Sequence, residues 1–268
     1  MDYLKGFRVA RQDPEWTNKV VVGSVILLTS MFIPLIGQLA LLGWQAMIMR
    51  RAVHGMDAPM PRLDFDFDYL GKLVGIGFKA LIARFLWTLP LIVLIGVSVG
   101  CLYFAFIAVF VGGMAVAAEG GGGEAGAAVG SIGAMCCMFG GYASIIVLSI
   151  VASIPAAVAS MRAELSDDLN QAMKFGEVLD FTKKNFGVLL KGTLLLGFVT
   201  WCLMMVGMLF CFVGMFPAAI MGMIAQGHFM SQVYQQHVAN GGDRLPLAGT
   251  EVDAPRAPPV QPQPPQTF

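Results

Sequence analysis

Four long apolar runs constrain this chain more than any other feature of its sequence. They cover residues 20–49, 85–118, 127–161 and 187–225, and polar connections separate them. A helix needs about 20 apolar residues to cross a hydrocarbon core about 30 Å thick. Because the chain is 57% hydrophobic and only 13% charged, we predict an all-α fold of the polytopic membrane class.

The first and last runs each contain a proline and a glycine close together. Proline lacks an amide donor and glycine tolerates turn conformations, so such pairs predict a chain reversal. The predicted breaks are Pro34 and Gly37 in the first run, and Gly214 and Pro217 in the last. The prediction is three helical hairpins with about six membrane helices: 17–33 with 34–54, 82–116 with 127–161, and 187–212 with 215–238. The first hairpin has short helices, so both a spanning and a re-entrant form stay open.

The positions of the basic residues predict the orientation. All 17 Lys and Arg residues lie outside the glycine-rich segment 112–130. Lys and Arg in short loops are retained on the cytoplasmic side. We therefore expect a multi-pass protein of the cell (inner) membrane, with both termini cytoplasmic and loop 112–130 outside.

An amphipathic stretch precedes each predicted hairpin. The three read "DYLKGFRVARQ", "LGKLVGIGFKALIARFL" and "ELSDDLNQAMKFGEVLDF". Such segments are typical of helices that lie at the headgroup boundary. The predicted organisation is an amphipathic, cytoplasmic segment 1–16, a transmembrane domain 17–239, and a disordered, proline-rich cytoplasmic tail 240–268.

An alternation of acidic and aromatic residues, "DFDFDY", is the most unusual local chemistry. In an extended conformation Asp64, Asp66 and Asp68 would share one face and could bind a divalent cation. In the alternative interpretation, Asp66 or Asp68 caps the helix that begins near Tyr69. No histidine or further carboxylate is spaced to complete a metal shell, which favours the cap.

Four basic residues border the apolar runs: Arg50, Arg51, Arg84 and Lys191. Long basic side chains at such borders extend to the lipid headgroups. They are candidate contacts to a lipid or to another phosphate-bearing ligand.

One segment, "GWQAMIMRRAVHGMDAPMPRLDFDFDYLGKLVGIGF", resembles the hallmark of a family of bacterial and archaeal membrane proteins, the domain of unknown function 4013. The similar features are Gly43 and Trp44, the basic pair Arg50 and Arg51, Gly55, a proline at 59 or 61, the cluster 64–69, and Gly71. Trp44 stands where the family usually has tyrosine. The resemblance implies an integral membrane protein and supplies no activity.

The sequence carries no catalytic or cofactor-binding motif, and we expect neither enzymatic activity nor a cofactor. A formal net charge of zero argues against nucleic acid as a partner. The expected function is a non-enzymatic membrane scaffold that binds lipids, a second copy of itself or a membrane-protein partner. The alternative is a channel or transporter for a small uncharged or lipid-like solute, with the proline breaks as gates.

Overall fold

A computed structural model describes residues 1–118, 123–210 and 212–252, and all regular secondary structure in them is helical. The predicted all-α class is therefore confirmed. The helices are α1 (Lys5–Gln12), α2 (Trp16–Thr29), α3 (Ile36–Val53), α4 (Phe67–Ala118), α5 (Gly123–Ser166), α6 (Leu169–Ala172), α7 (Phe175–Met208) and α8 (Met215–Ala239).

The chain divides into two compact units. Unit 2 is the segment Leu86–Ser153, made of the adjoining parts of α4 and α5, which contact each other where Leu102 packs on Gly141. Its large apolar side chains are mostly exposed, as suits a surface solvated by lipid. Unit 1 contains Met1–Phe85 together with the described residues from Ile154 onward.

Within the described residues, three helical segments are long and apolar enough to cross a membrane, and the predicted number of about six membrane helices stays a prediction. They are Phe67–Gly112, Met138–Ser166 and Phe175–Met208. Helix α2 is apolar but has only 14 residues, which at 1.5 Å per residue span about 21 Å of a core about 30 Å thick.

Two of the three predicted interface helices are not separate elements. The stretch before the second hairpin is the beginning of α4, and the last part of the third stretch is the beginning of α7. No proline interrupts either junction, and the glycines in α4 cost only about 1 kcal/mol each in a helix, so the helices continue. The first stretch does form a separate helix, α1.

The hydrophobic core of unit 1 forms where α2, α3 and α8 meet. Ile26, Leu41 and Ile224 are buried there, and Trp44 is fully buried at its centre. The indole Nε1 of Trp44 donates a hydrogen bond to the Pro61 carbonyl at 3.2 Å. This bond satisfies the polar end of the ring and ties α3 to the connection that follows it.

Helices α3 and α4 cross at backbone contact. A Cβ added to Gly43 would overlap the backbone of Leu73, and one added to Gly77 would overlap the Leu39 carbonyl. Only glycine allows this approach. The glycine at the start of the family-like segment is thus needed for packing between helices.

The α2–α3 hairpin and the α7–α8 hairpin both end in exposed apolar tips. The chain reverses between α2 and α3, where Phe32 is 82% exposed, and again between α7 and α8, where Leu209 is 82% exposed. At each tip a bulky residue has positive φ, 81° at Leu35 and 65° at Phe212. Such tips are suited to hydrocarbon rather than to water.

The predicted breaks lie close to these reversals but not always within them. Pro34 is in the first turn itself, whereas Gly37 is the second residue of α3 and contacts Ser30 and Ile26. Gly214 is the N-cap of α8. Pro217 is the third residue of α8, where its missing N–H costs no helical hydrogen bond.

Residues 243–252, hereafter the strap, follow α8 and pack against the helices of unit 1 without forming a helix themselves. Leu245 and Ala248 are buried. The Leu245 amide donates to the Tyr234 hydroxyl at 2.9 Å, and the Ala248 amide donates to the Leu165 carbonyl at 2.8 Å. The tail predicted to be disordered from 240 therefore begins with a packed segment, because two apolar side chains there find buried sites. Residues 253–268 lie outside the described residues.

Candidate functional site

The last two turns of α5 carry polar side chains into the interior of unit 1. Ser160, Arg162, Glu164 and Ser166 are all at most 3% exposed. Their neighbours along the helix are small or apolar, so this part of α5 is surrounded by other elements on every side. Buried charges need partners, and two clusters of partners surround this helix end.

The first cluster, the Arg50 cluster, joins α3, α4 and the end of α5. Arg50 donates through Nε to the Glu164 carbonyl at 2.6 Å and through Nη2 to the Asp167 carboxylate at 3.3 Å. Lys79 donates to the other Asp167 carboxylate oxygen at 3.0 Å. Asp167 has a φ of 55°, a conformation that aspartate tolerates better than most residues. This turn aims its carboxylate at both bases.

The second cluster, the Arg162 cluster, joins α5, α7, α8 and the strap. Arg162 donates to the Asp243 carboxylate at 2.6 Å through Nη1, to the Glu177 carboxylate through Nη2, and to the Gln171 carbonyl at 3.1 Å through Nε. The other Asp243 oxygen lies 2.9 Å from His237 Nε2. One carboxylate of the strap therefore bridges two helices.

Asn185 orients the His237 ring. Its Nδ2 lies 3.0 Å from His237 Nδ1, and because an amide nitrogen can only donate, Nδ1 accepts and Nε2 carries the proton toward Asp243. A cleft of about 280 Å³ opens beside this pair, lined by Lys184, Asn185, His237, Asn240 and Gly242.

A separate buried ion pair holds the amino-terminal segment. Asp13 accepts from Lys19 Nζ at 2.8 Å, from the Glu15 amide at 2.8 Å and from the Met60 amide at 2.7 Å. Lys19 also donates to the Met60 carbonyl at 2.8 Å. The pair thus fixes the connection between α3 and α4 to the beginning of α2.

The carboxyls of Asp13 and Asp243 should make the protein sensitive to acid. Burial raises the pKa of each, but hydrogen bonds from Lys19 to Asp13, and from Arg162 and His237 to Asp243, hold both pKa values below the ordinary value. A depressed pKa stabilises the fold above the unfolded-state value of about 3.9, and that stabilisation is lost as the pH falls further. We expect the melting temperature to fall between about pH 5 and pH 3.

The comparison that checks this expectation is Asp243→Asn. Asparagine cannot take up a proton at this position as the pH falls, so the melting temperature of the variant should change less over the same acid range. An identical acid profile in the variant and the native chain would contradict the assignment to Asp243.

The acidic and aromatic stretch forms a helix cap and a local ion-pair network. Asp66 accepts from the amides of Asp68 at 3.0 Å and Tyr69 at 3.3 Å at the start of α4. Arg62 pairs with Asp66 at 2.6 Å and with Asp64 at 3.2 Å. Among the described residues no three His, Cys, Asp or Glu are grouped to hold a metal ion. The structure thus does not assemble the candidate ligands Asp64, Asp66 and Asp68 into a metal site.

The four basic residues predicted to contact lipid or phosphate occupy different environments. Arg50 is 4% exposed and donates hydrogen bonds to protein groups. Its guanidinium therefore lies in the protein interior and not at a surface that lipid headgroups reach. Arg51 forms an ion pair with Glu251 of the strap at 2.7 Å. Arg84 is half-buried and interacts electrostatically with Glu164. Lys191 is exposed on α7, and for it the predicted headgroup contact stays a prediction.

Sequence reasoning missed the burial of Arg162 and Glu164, because charged residues at this position are typical of the end of an apolar run. The usable signal lies in their neighbours. The segment "AAVASMRAELS" contains small residues and no helix breaker, so the helix continues and its small side chains permit close packing around it.

In the part of the chain that the structure describes, an all-helical fold with three helices long and apolar enough to cross a membrane is that of a helical membrane protein. The family described as "Protein of unknown function (DUF4013)" matches residues 26–213, and the chain belongs to that family. This confirms the resemblance seen in the sequence. Comparison with curated proteins and with solved structures gives no match.

Proposed function

We propose that the protein is a non-enzymatic membrane scaffold. Its α2–α3 and α7–α8 hairpins enter the lipid. Its polar end presents a fixed surface to lipid headgroups or to a membrane-protein partner, including a second copy of the chain. The proposed location is the cell inner membrane, with both termini on the cytoplasmic side.

One observation carries the proposal: the interface between the α2–α3 hairpin and helix α8 is apolar and closely packed. Ile220 and Ile224 of α8 are fully buried against α2 and α3, and a Cβ on Gly23 of α2 would already be in tight contact with Ile220. A transporter for a small solute would need a polar path at this depth. Packing of this kind instead supports a rigid body held in lipid.

The test is a flux measurement in liposomes that contain the purified protein. We expect osmotic swelling in glycerol at the rate of protein-free liposomes, because the hairpin interface offers no passage. Swelling several times faster, and dependent on the protein, would instead establish the channel alternative. A variant with Gly23→Trp, which should obstruct any path between α2 and α8, would then be expected to slow it.

Cysteine labelling should locate the tip of the α2–α3 hairpin within the hydrocarbon. In a chain whose five native cysteines are replaced by serine, a single cysteine at Met31 should resist a membrane-impermeant maleimide added to either face. A cysteine at Gly55 should react only from the cytoplasmic face, and one at Gly121 only from outside. Labelling of Gly55→Cys in intact cells would overturn the proposed orientation. Labelling of Met31→Cys from outside would mean that the first hairpin spans.

A further inference from the structure

The strap places a carboxylate on a pair of buried donors. Arg162 and His237 are 1% and 3% exposed, whereas the Asp243 side chain that joins them is 36% exposed. Each oxygen of that carboxylate meets one donor, Arg162 Nη1 at 2.6 Å and His237 Nε2 at 2.9 Å. The two donors are thus fixed within the helices, and the acceptor is supplied from the surface.

The donors are positioned independently of the strap. Arg162 is also held by Glu177 on α7 and by the Gln171 carbonyl of α6. His237 is held by Asn185 and packs against Phe181 in a tilted arrangement, with ring centroids 4.2 Å apart. Removal of the Asp243 carboxylate would leave two oriented donors that converge on one place.

The strap is attached less strongly than the helices that it covers. Besides Asp243, it has two backbone-amide hydrogen bonds to helices, two buried apolar side chains, the partly buried Val252 packed on the core of unit 1, and the ion pair from Glu251 to Arg51, in which Glu251 is 65% exposed. Exposed ion pairs contribute little to stability. A segment with so few contacts can open without unfolding the helices.

A tight turn delivers Asp243 to the donors. Gly241 has a φ of 80°, and a Cβ on Gly242 would overlap the His237 ring. His237 and Gly242 also line the cleft of about 280 Å³, together with Lys184, Asn185 and Asn240. There is therefore room beside His237 for a group larger than a carboxylate.

The charges around the donors define the ligand. Glu177 is balanced by Lys174, 3.3 Å away, so the charge left for Asp243 to neutralise is that of Arg162. A matching ligand has one negative charge and two equivalent oxygens, properties that a phosphodiester shares with the carboxylate of Asp243. Arg162 also lies near the end of the span Met138–Ser166, where phospholipid headgroups are found.

We propose that Arg162 and His237 form a binding site for the phosphodiester of an anionic phospholipid headgroup, and that Asp243 of the strap is an exchangeable internal ligand of this site. Headgroup binding displaces Asp243 and frees the strap. The inference does not depend on the scaffold function, since a channel could carry the same site.

The test measures affinity in maltoside micelles, which contain no phosphate, with the full-length chain. The probes are phosphatidylglycerol, its soluble headgroup glycerophosphoglycerol, and hexaglutamate. An internal competitor lowers the apparent affinity for an external ligand, so Asp243→Asn should bind phosphatidylglycerol about tenfold more tightly than the native chain. The matched control is Glu251→Gln, which neutralises another carboxylate of the strap and breaks only an exposed ion pair, so it should tighten binding much less than Asp243→Asn.

The double variant Asp243→Asn with His237→Gln should bind phosphatidylglycerol no more tightly than the native chain, because one of the two donors is lost. Arg162 stays paired with Glu177 in this double variant. Hydrogen exchange at the Leu245 and Ala248 amides should rise when phosphatidylglycerol binds. Tightening for both phosphodiesters would support the site with no preference for the lipid form, whereas tightening for phosphatidylglycerol alone assigns it to lipid. Equal affinities of Asp243→Asn and the native chain would overturn the proposal, as would tightening for hexaglutamate alone, which would assign the site to an acidic peptide.

Discussion

Asp13→Ala should be among the most destabilising single substitutions in this chain. It leaves the buried Lys19 ammonium without its carboxylate and removes the acceptor of the Met60 amide. Removing one partner of a buried ion pair costs about 3–5 kcal/mol. Thermal unfolding in detergent, followed by circular dichroism, measures the loss.

Two comparisons isolate the cause. Asp13→Ala combined with Lys19→Met removes both charges, so part of the stability should return. Asp180→Ala breaks an ion pair with Lys184 whose side chains are both more than half exposed, and this change should cost about 0–1 kcal/mol. If Asp13→Ala melts at the same temperature as Asp180→Ala, the buried pair does not have the proposed role.

The second large effect is expected at the crossing of α3 and α4. Gly77→Ala places a methyl group against the Leu39 carbonyl, and this contact involves backbone that cannot move without displacing a helix. Overpacking of this kind costs about 1–3 kcal/mol. We expect a lower melting temperature and a lower yield of folded protein from the membrane.

Gly75→Ala is the matched control, since it lies on the same helix with no atom within 4 Å of the added Cβ. It should be neutral or slightly stabilising, because alanine favours helix by about 1 kcal/mol over glycine. Gly43→Ala should resemble Gly77→Ala. Equal behaviour at positions 75 and 77 would mean that the helices are farther apart than the structure has them.

The sequence predicted those features that depend on local composition. The all-helical class follows from the apolar runs, and the reversals near Pro34 and Gly214 follow from residues that disfavour a continuous helix. The family was identifiable because Gly43, Trp44 and the cluster beginning at Asp64 lie within one short segment.

The charged clusters could not be predicted in the same way. Asp13 meets Met60, and Arg162 meets Asp243, across 47 and 81 positions of the chain. Hydrophobic periodicity indicates local secondary structure only, so it cannot predict contacts between residues this far apart in the chain. The strap was missed for a related reason. Its sequence continues into a proline-rich segment whose composition predicts disorder, whereas the burial of Leu245 and Ala248 depends on contacts with α5 and α8.

The position of the strap in the chain has a consequence for biosynthesis. Every helix that the strap contacts is synthesised before it, since α3, α5 and α8 all precede residue 243. Chains of this kind fold from the amino-terminal end as they emerge. Arg162 is therefore synthesised before Asp243. In the exchange proposed above, a headgroup phosphodiester binds Arg162 during that interval, before the chain acquires its own carboxylate.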